Sequence, residues 1–239
     1  MIADLDMLVV VPARGGSKRL PRKNILPLCG KSLMERTEDA LREAGLSGRA
    51  VLSTDDDELA AEGRRIGWQV PFLRPAELAG DRVSTYDVVS HVLDWYRAEE
   101  QRLPEYVLLL QVTSPFRRGL HIAAAAQALQ DNPEAEAVVS VYSAPHNGSN
   151  LFWGNRDFLS GVAVDGAGRQ LLAANGAIYL VRTDALRDSG GFYPPRTVPL
   201  VMAEEDSLDI DTPQDWIVAE AVLSAREDQT TPKESEFIC

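Results

Sequence analysis

An apolar run, Met7 to Val11, passes without a break into Pro12-Ala-Arg-Gly-Gly-Ser-Lys-Arg-Leu-Pro-Arg-Lys-Asn24. An unbroken apolar run of this kind suits a strand buried on both faces, as in a parallel sheet, rather than one with a wet face. The loop that follows holds two glycines and five cations: Arg14, Lys18, Arg19, Arg22 and Lys23. Gly15 and Gly16 can take backbone conformations that aim successive N–H groups at one point. A strand that feeds such a loop is built to hold a polyanion, and we read that polyanion as a nucleoside triphosphate. The spacing matches neither the G-x-x-x-x-G-K-[S/T] phosphate loop nor the G-x-G-x-x-G dinucleotide fingerprint. The plainer alternative is a solvated basic turn.

Charge sharpens this reading. The chain carries 24 Lys and Arg against 36 Asp and Glu, a formal net charge of -12. A nucleic-acid binder shows a basic excess, so a basic loop on an acidic body favours a small anionic ligand and no nucleic acid. With 239 residues, 45% of them hydrophobic, the chain can bury the core of one α/β domain with a small appended lobe. Cys29 and Cys239 show no metal-ligand spacing, which fits a reducing, cytoplasmic setting. The run at 7–11 is too short to span a membrane, and Asp4 and Asp6 precede it where a signal peptide would be basic.

Further along, strands and helices alternate. Ser32-Leu-Met-Glu35 is a capping box, followed by Leu33, Thr37, Ala40, Leu41 and Ala44 at helical spacing. A strand is expected at 50–53, a helix near 56–66 and a short strand near 69–71. A helix opens at Ser84-Thr-Tyr-Asp87. Strands at 107–111, 137–141 and 177–181, an Ala-rich helix at 119–130 and a helix from Thr212-Pro213 to about Arg226 complete the pattern. The order predicts an α/β fold, a doubly wound and mostly parallel sheet of Rossmann-like type, with ligands at the carboxyl ends of the strands. Residues 143–172 break the alternation and read as a small inserted lobe within a domain spanning 1–226. Residues 227–239 read as a flexible tail.

The second sharp feature is Asp206-Ser-Leu-Asp-Ile-Asp211. In an extended segment Asp209 and Asp211 share a face while Leu208 and Ile210 pack. Two carboxylates facing a triphosphate suit Mg²⁺ (or Mn²⁺), which takes hard oxygen ligands from protein and phosphate. The alternative is an acidic turn capping the next helix.

Six segments taken together resemble the acylneuraminate cytidylyltransferases and their nonulosonic-acid relatives. They are Pro12 to Asn24, Leu52-Ser-Thr-Asp-Asp56, Arg74-Pro-Ala-Glu-Leu-Ala79, Leu110-Gln-Val-Thr-Ser-Pro115, Asn175-Gly-Ala-Ile-Tyr179 and Asp206 to Thr212. The KDO cytidylyltransferases are less similar, since Gln111-Val-Thr-Ser-Pro115 stands in place of their Gly-Asp-Glu-Pro stretch. The resemblance implies attack of a sugar-acid hydroxyl on the α-phosphate of CTP, giving a CMP-sugar and pyrophosphate. It implies that Ala13, Arg14, Gly15, Ser17 and Lys23 bind the triphosphate and that Asn24, Arg74 and Ser84 hold the nucleoside. It implies that Gln111, Asn175 and Tyr179 face the acceptor and that Asp209 and Asp211 hold the metal. Arg14, Lys23 and Asp211 would carry catalysis, with Asp211 or the metal alone taking the acceptor proton. The lobe would mediate a homodimer.

Each residue also has a plainer role. Arg74 can brace the loop before Pro75, Ser84 can cap its helix, and Tyr179 can be core. His91 reads as structural, and His121 and His146 form no triad with a nucleophile.

The acceptor half departs from the family pattern. Leu171-Leu-Ala-Ala174 stands where basic residues precede Asn-Gly-Ala-Ile-Tyr, and the nearby cation is Arg169. Pro145-His-Asn-Gly replaces a His-Pro pair followed by lysine. Arg169 can substitute, or the acceptor is a different nonulosonic acid, an amino- or deoxy-KDO analogue, or a phosphonate. A non-catalytic nucleotide-binding homologue is the remaining reading, and the Asp209/Asp211 pair speaks against it.

Overall fold

The apolar run at the N-terminus forms β1 (Met7–Pro12), whose side chains split between two layers of helices. The protein is described here by a computed structural model covering residues 2–143, 152–154, 159–161 and 171–230. After β1 come α1 (Leu33–Glu43), β2 (Ala50–Ser53), α2 (Asp57–Arg65), α3 (Thr85–Glu100), β3 (Tyr106–Leu109) and α4 (Gly119–Asp131). Then follow β4 (Ala137–Ser143), β5 (Phe152–Gly154), β6 (Leu159–Gly161), β7 (Leu172–Arg182), α5 (Thr183–Ser189), β8 (Thr197–Val201) and α6 (Pro213–Thr230).

The main sheet has the order β2-β1-β3-β7-β4-β8. β1 pairs in parallel with β2 and β3, and β4 with β8, while β7 runs antiparallel to both β3 and β4. Period-two alternation feeds two cores. Val9 and Val11 join Leu33, Met34 and Leu41 of α1, Ile122 and Ala125 of α4, and Ala219 and Leu223 of α6. Leu8 and Val10 join Val89, Val92 and Leu93 of α3 and Leu186 of α5. This is the doubly wound, mostly parallel sheet that the alternation predicts. Each fully buried valine or leucine contributes about 1.5–3 kcal/mol relative to exposure.

Local chemistry sets the helix starts. Ser32 and Ser84 each form a reciprocal capping box, with Glu35 and Asp87 respectively. Asp56 caps α2 by accepting from the N–H groups of Glu58 and Leu59. α4 starts at a glycine because α1 passes close by: a Cβ on Gly119 would lie 2.4 Å from Glu43 Cβ and 2.7 Å from Ala44 N.

Several elements differ from expectation. The strand expected at 107–111 ends at Leu109, and residues 110–118 form the loop that faces the site. The short strand near 69–71 is a single parallel bridge, Val51 to Gln69. β7 begins at Leu172, because its first residues continue the ladder with β4 as far as Ser143. α5 and β8 are additional to the sequence reading: one is a short helix, and the other is a half-exposed edge strand whose apolar pattern is interrupted by Pro199. α6 continues to Thr230, so the expected tail begins inside a helix. Most of the lobe expected at 143–172 lies outside the described residues; within that stretch the described β5 and β6 pair antiparallel.

Candidate functional site

The loop after β1 is anchored before its cations are placed. Ala13 N–H donates to the Ser53 carbonyl at 3.0 Å, which extends the β1–β2 pairing into the loop. Gly15 N–H donates to Asp55 Oδ1 at 3.1 Å. A Cβ on Gly15 would sit 2.4 Å from Asp56 Oδ2, so the need for glycine is close packing against the α2 cap. Neither Gly15 nor Gly16 has positive φ. The expected pair of N–H groups converging on an anion is therefore not what this loop presents: Asp55 takes the first, and side-chain cations line the site.

Those cations meet the acidic segment. A cleft of about 300 Å³ is lined by Ala13, Arg14, Ser17, Lys23 and Asn24 on one wall and by Gln111, Thr113, Asp209 and Asp211 on the other. Lys23 Nζ donates to the Ile210 carbonyl at 2.6 Å and to Asp211 Oδ1 at 2.9 Å. Arg19 donates to Asp211 Oδ2 at 3.1 Å. Arg14 and Lys18 both pair with Asp81, at 2.9 and 2.5 Å, and Arg22 pairs with Glu58. Each of the five loop cations thus holds a carboxylate, and a polyanion entering here exchanges carboxylates for phosphate oxygens.

The acidic pair sits as the alternating pattern predicts. Ile210 is fully buried while Asp209 and Asp211 line the cleft. The Ile210 N–H donates to the Thr113 carbonyl at 2.8 Å and fixes the segment against the loop after β3. The two carboxyls titrate in opposite directions. Asp209 keeps accessible surface, yet surrounding protein desolvates it and pushes its pKa above the usual range, while the Thr113 hydroxyl pulls it down. The hydrogen bond from Lys23 holds Asp211 below that range.

A second cleft, of about 880 Å³, borders the first and shares Gln111 and Asp209 with it. Its walls include Phe116, Tyr142, Asn175, Tyr179 and Tyr193, together with Glu204 and Glu205. Among the described residues it carries three carboxylates and no cation. Burial raises the Tyr179 phenol above its usual pKa, and Tyr193 Oη lies 3.5 Å from it. Asn175, expected to face the acceptor, spends its amide inside the protein. Its Oδ1 accepts from Ser140 Oγ at 2.6 Å and from Ala177 N–H at 3.2 Å, and its Nδ2 donates to Ser207 Oγ at 2.9 Å.

That clamp holds a bulge. Val139 pairs with Tyr179 but Val141 pairs with Ala174, so the intervening residues of β7 leave the ladder. Ser140 closes it, accepting from Ile178 N–H at 2.7 Å. Gly176 sits in the bulge with φ +75°, and a Cβ there would meet Gln111 Oε1 at 2.4 Å. The Gln111 amide therefore lies directly over residue 176.

Arg74 and Ser84, expected to hold the nucleoside, line neither cleft. Arg74 is buried and braces its loop, donating to the Ser53 carbonyl at 3.2 Å and lying 3.8 Å from Asp55. Burial lowers its pKa. Ser84 is engaged with Asp87 as a cap. Arg169 and His146 lie outside the described residues. His91 packs edge-on against Phe72, His121 Nε2 lies 3.5 Å from Asp206, and neither histidine lines either cleft. The sequence reading did not single out Thr113, Gly176, Ser140 or Arg117. Thr113 and Gly176 were inside recognised motifs, whereas Ser140 and Arg117 carry no signal beyond an isolated polar residue and one more arginine.

The family described as cytidylyltransferase matches residues 8–197. A CMP-N,N'-diacetyllegionaminic acid synthase of Legionella pneumophila is 32% identical over 94% of this chain and 99% of its own. An N-acylneuraminate cytidylyltransferase of Streptococcus agalactiae is 32% identical over 88% of this chain, which spans about half (51%) of that longer protein. Among solved structures, a CMP:2-keto-3-deoxy-manno-octonic acid synthetase complexed with CTP superposes with a TM-score of 0.66 at 18% identity, covering 92% of this chain and 99% of that one. The 4-diphosphocytidyl-2C-methyl-D-erythritol synthase of Anaerococcus prevotii gives 0.64 at 12% identity, over 92% and 99% of the two chains; at these identities the likeness concerns the fold. The family match over residues 8–197 and 32% identity along nearly the whole of a relative show the same thing: this chain is a member of the cytidylyltransferase family.

Proposed function

We propose that this protein transfers the cytidylyl group of CTP to a hydroxyl of a nonulosonic acid, forming a CMP-sugar and releasing pyrophosphate. The observation that carries the reading is the wall common to the two clefts. Gln111 and Asp209 border both, so a nucleotide held by the basic loop and an acceptor in the larger cleft meet there. The acceptor oxygen bonds to the α-phosphorus, its hydroxyl proton passing to solvent water, and the bond from that phosphorus to the bridging oxygen of pyrophosphate breaks.

The residues divide the work. Arg14, Ser17 and Lys23 take the triphosphate, and Lys18 and Arg19 are near enough to join them once Asp81 and Asp211 release them. Negative charge gathers on the phosphate and on departing pyrophosphate, and preorganised cations there lower the barrier. Asn24, buried beside the loop with its Oδ1 without a partner among the described residues, offers an acceptor to the nucleoside. Asp209 and Asp211 fit Mg²⁺ or Mn²⁺: both line one cleft, both offer hard oxygens, and neither has a sulfur or imidazole neighbour in that lining. Bound there, the ion would neutralise phosphate charge. Asp211, held by Lys23 and Arg19 before the nucleotide enters, acts as a fixed charge.

The acidic wall of the second cleft suits a carboxylate monoanion better than a phosphonate dianion, which favours the sugar acid. Arg169 remains our candidate cation for that carboxylate. We also read the chain as a cytoplasmic homodimer. β8 is a sheet edge with Val201 exposed, and Ile217 of α6 exposes apolar surface that a second copy would cover. Among the described residues no helix is long and apolar enough to cross a membrane.

Pyrophosphate release from CTP and Mg²⁺, measured against N-acetylneuraminic, N,N'-diacetyllegionaminic and pseudaminic acids, KDO and a phosphonate, tests the reaction. Turnover with a nonulosonic acid is expected. Turnover with the phosphonate alone, or CTP binding without any turnover, refutes it. Sedimentation at micromolar concentration tests the dimer, and a monomer there refutes it.

A further inference from the structure

Arg117 is 3% exposed and has no carboxylate partner among the described residues. Burial pulls its pKa down to about 9, so it stays charged at neutral pH. A buried charge without a counter-ion is costly unless its hydrogen bonds are well used. Here Nη1 donates to the Gln111 carbonyl at 2.8 Å and to the Ala177 carbonyl at 3.0 Å, while Nη2 donates to Thr37 Oγ1 at 2.7 Å. Thr37, on α1, is buried and in turn donates to the Leu33 carbonyl at 2.9 Å. One rigid plane therefore joins three elements: the loop after β3, the strand just past the β7 bulge, and α1.

The two carbonyls it joins belong to the two sides of one contact. Gln111 reaches over Gly176, and Ala177 is the next residue in the bulged strand. We infer that Arg117 is a positioning residue: by tying the Gln111 and Ala177 carbonyls together it holds the Gln111 amide at the junction of the two clefts, where it orients the acceptor. This rests on the proposed acceptor role of Gln111. The fork geometry is specific to arginine, because a lysine ammonium in the same place keeps the charge but cannot hold both carbonyls and Thr37 in one plane.

The test uses the full-length enzyme, CTP and the acceptor of highest kcat/KM in the panel above. Arg117→Lys is expected to raise the acceptor KM about tenfold while leaving the CTP KM within about twofold. Thr37→Val, which lines neither cleft, is expected to raise the acceptor KM in the same direction by about two- to fivefold through the lost Nη2 contact. Both effects are expected to vanish in a Gln111→Ala background, since groups that act through one another are not additive. An acceptor KM unchanged in Thr37→Val, or an Arg117→Lys effect that persists undiminished on Gln111→Ala, overturns the positioning role. If Gln111→Ala by itself leaves the acceptor KM unchanged, it is the acceptor role of Gln111 that fails. Thermal melting of each variant separates loss of fold from loss of positioning, and Thr37→Val supplies the answer if Arg117→Lys does not fold.

Discussion

Replacing Lys23 by methionine should separate the two jobs of that side chain. It is 11% exposed, and its ammonium ties the basic loop to the acidic segment through the Ile210 carbonyl and Asp211. Lys23→Met keeps the aliphatic stem but leaves the Ile210 carbonyl without this charged donor, a loss of about 1.5 kcal/mol. The ion pair itself is discounted to about 0.5 kcal/mol because Asp211 is 47% exposed and solvent screens it. A total near 2 kcal/mol corresponds to a Tm about 4–8 °C lower for a domain of this size. Asp211 has a depressed folded pKa, so the pair stabilises fully above the ordinary carboxylate pKa of about 4 and fades as pH falls through the depressed value. Calorimetry at pH 7 and pH 3 should therefore show the gap narrowing in acid. With CTP the variant also loses an oriented cation worth about 3 kcal/mol in the transition state, a fall of roughly 10²-fold in kcat/KM for CTP. A Lys23→Met enzyme with wild-type Tm, and with kcat/KM for CTP within about threefold of wild type, would refute the placement of Lys23 in both roles.

Asp211→Ala should abolish pyrophosphate release while circular dichroism stays native, and near-normal turnover would remove Asp211 from the proposed metal pair. Gly176→Ala forces a Cβ to within 2.4 Å of Gln111 Oε1 at φ +75°; it should cost about 1–2 kcal/mol and raise the acceptor KM more than the CTP KM. A wild-type acceptor KM there would show that Gln111 need not occupy its observed position. Gly119→Ala drives a Cβ into Glu43 and the α1 backbone, with an expected loss of about 1–3 kcal/mol and unchanged CTP and acceptor KM values. An unchanged melting temperature would mean that the α1–α4 crossing relaxes freely. Arg14→Ala should raise the CTP KM, because Arg14 lines the nucleotide cleft, and CTP kinetics like those of the wild type would reject that role.

Local signals decided much of this molecule before any tertiary contact. The valine run of β1, the capping boxes at Ser32 and Ser84 and the strand–helix alternation depend on neighbours close in sequence, so they can be read directly. The alternation of Asp209 and Asp211 with Leu208 and Ile210 follows from the two-residue repeat of extended backbone, and both carboxylates line one cleft. Other features are products of distance. Whether Arg74 meets ligand or braces a loop depends on the Ser53 carbonyl, and whether Gly15 offers its N–H to an anion depends on Asp55; neither partner is adjacent in the chain. The antiparallel insertion of β7 between β3 and β4, its bulge over Ser140, and the sheltering of Arg117 between Gln111, Ala177 and Thr37 arise only when separate elements pack. Sequence thus determined which chemistry the chain can offer, because side-chain type and repeat are local. The folded structure decided which of those groups stay free for ligand, because the rest are consumed by the hydrogen bonds that burial makes obligatory.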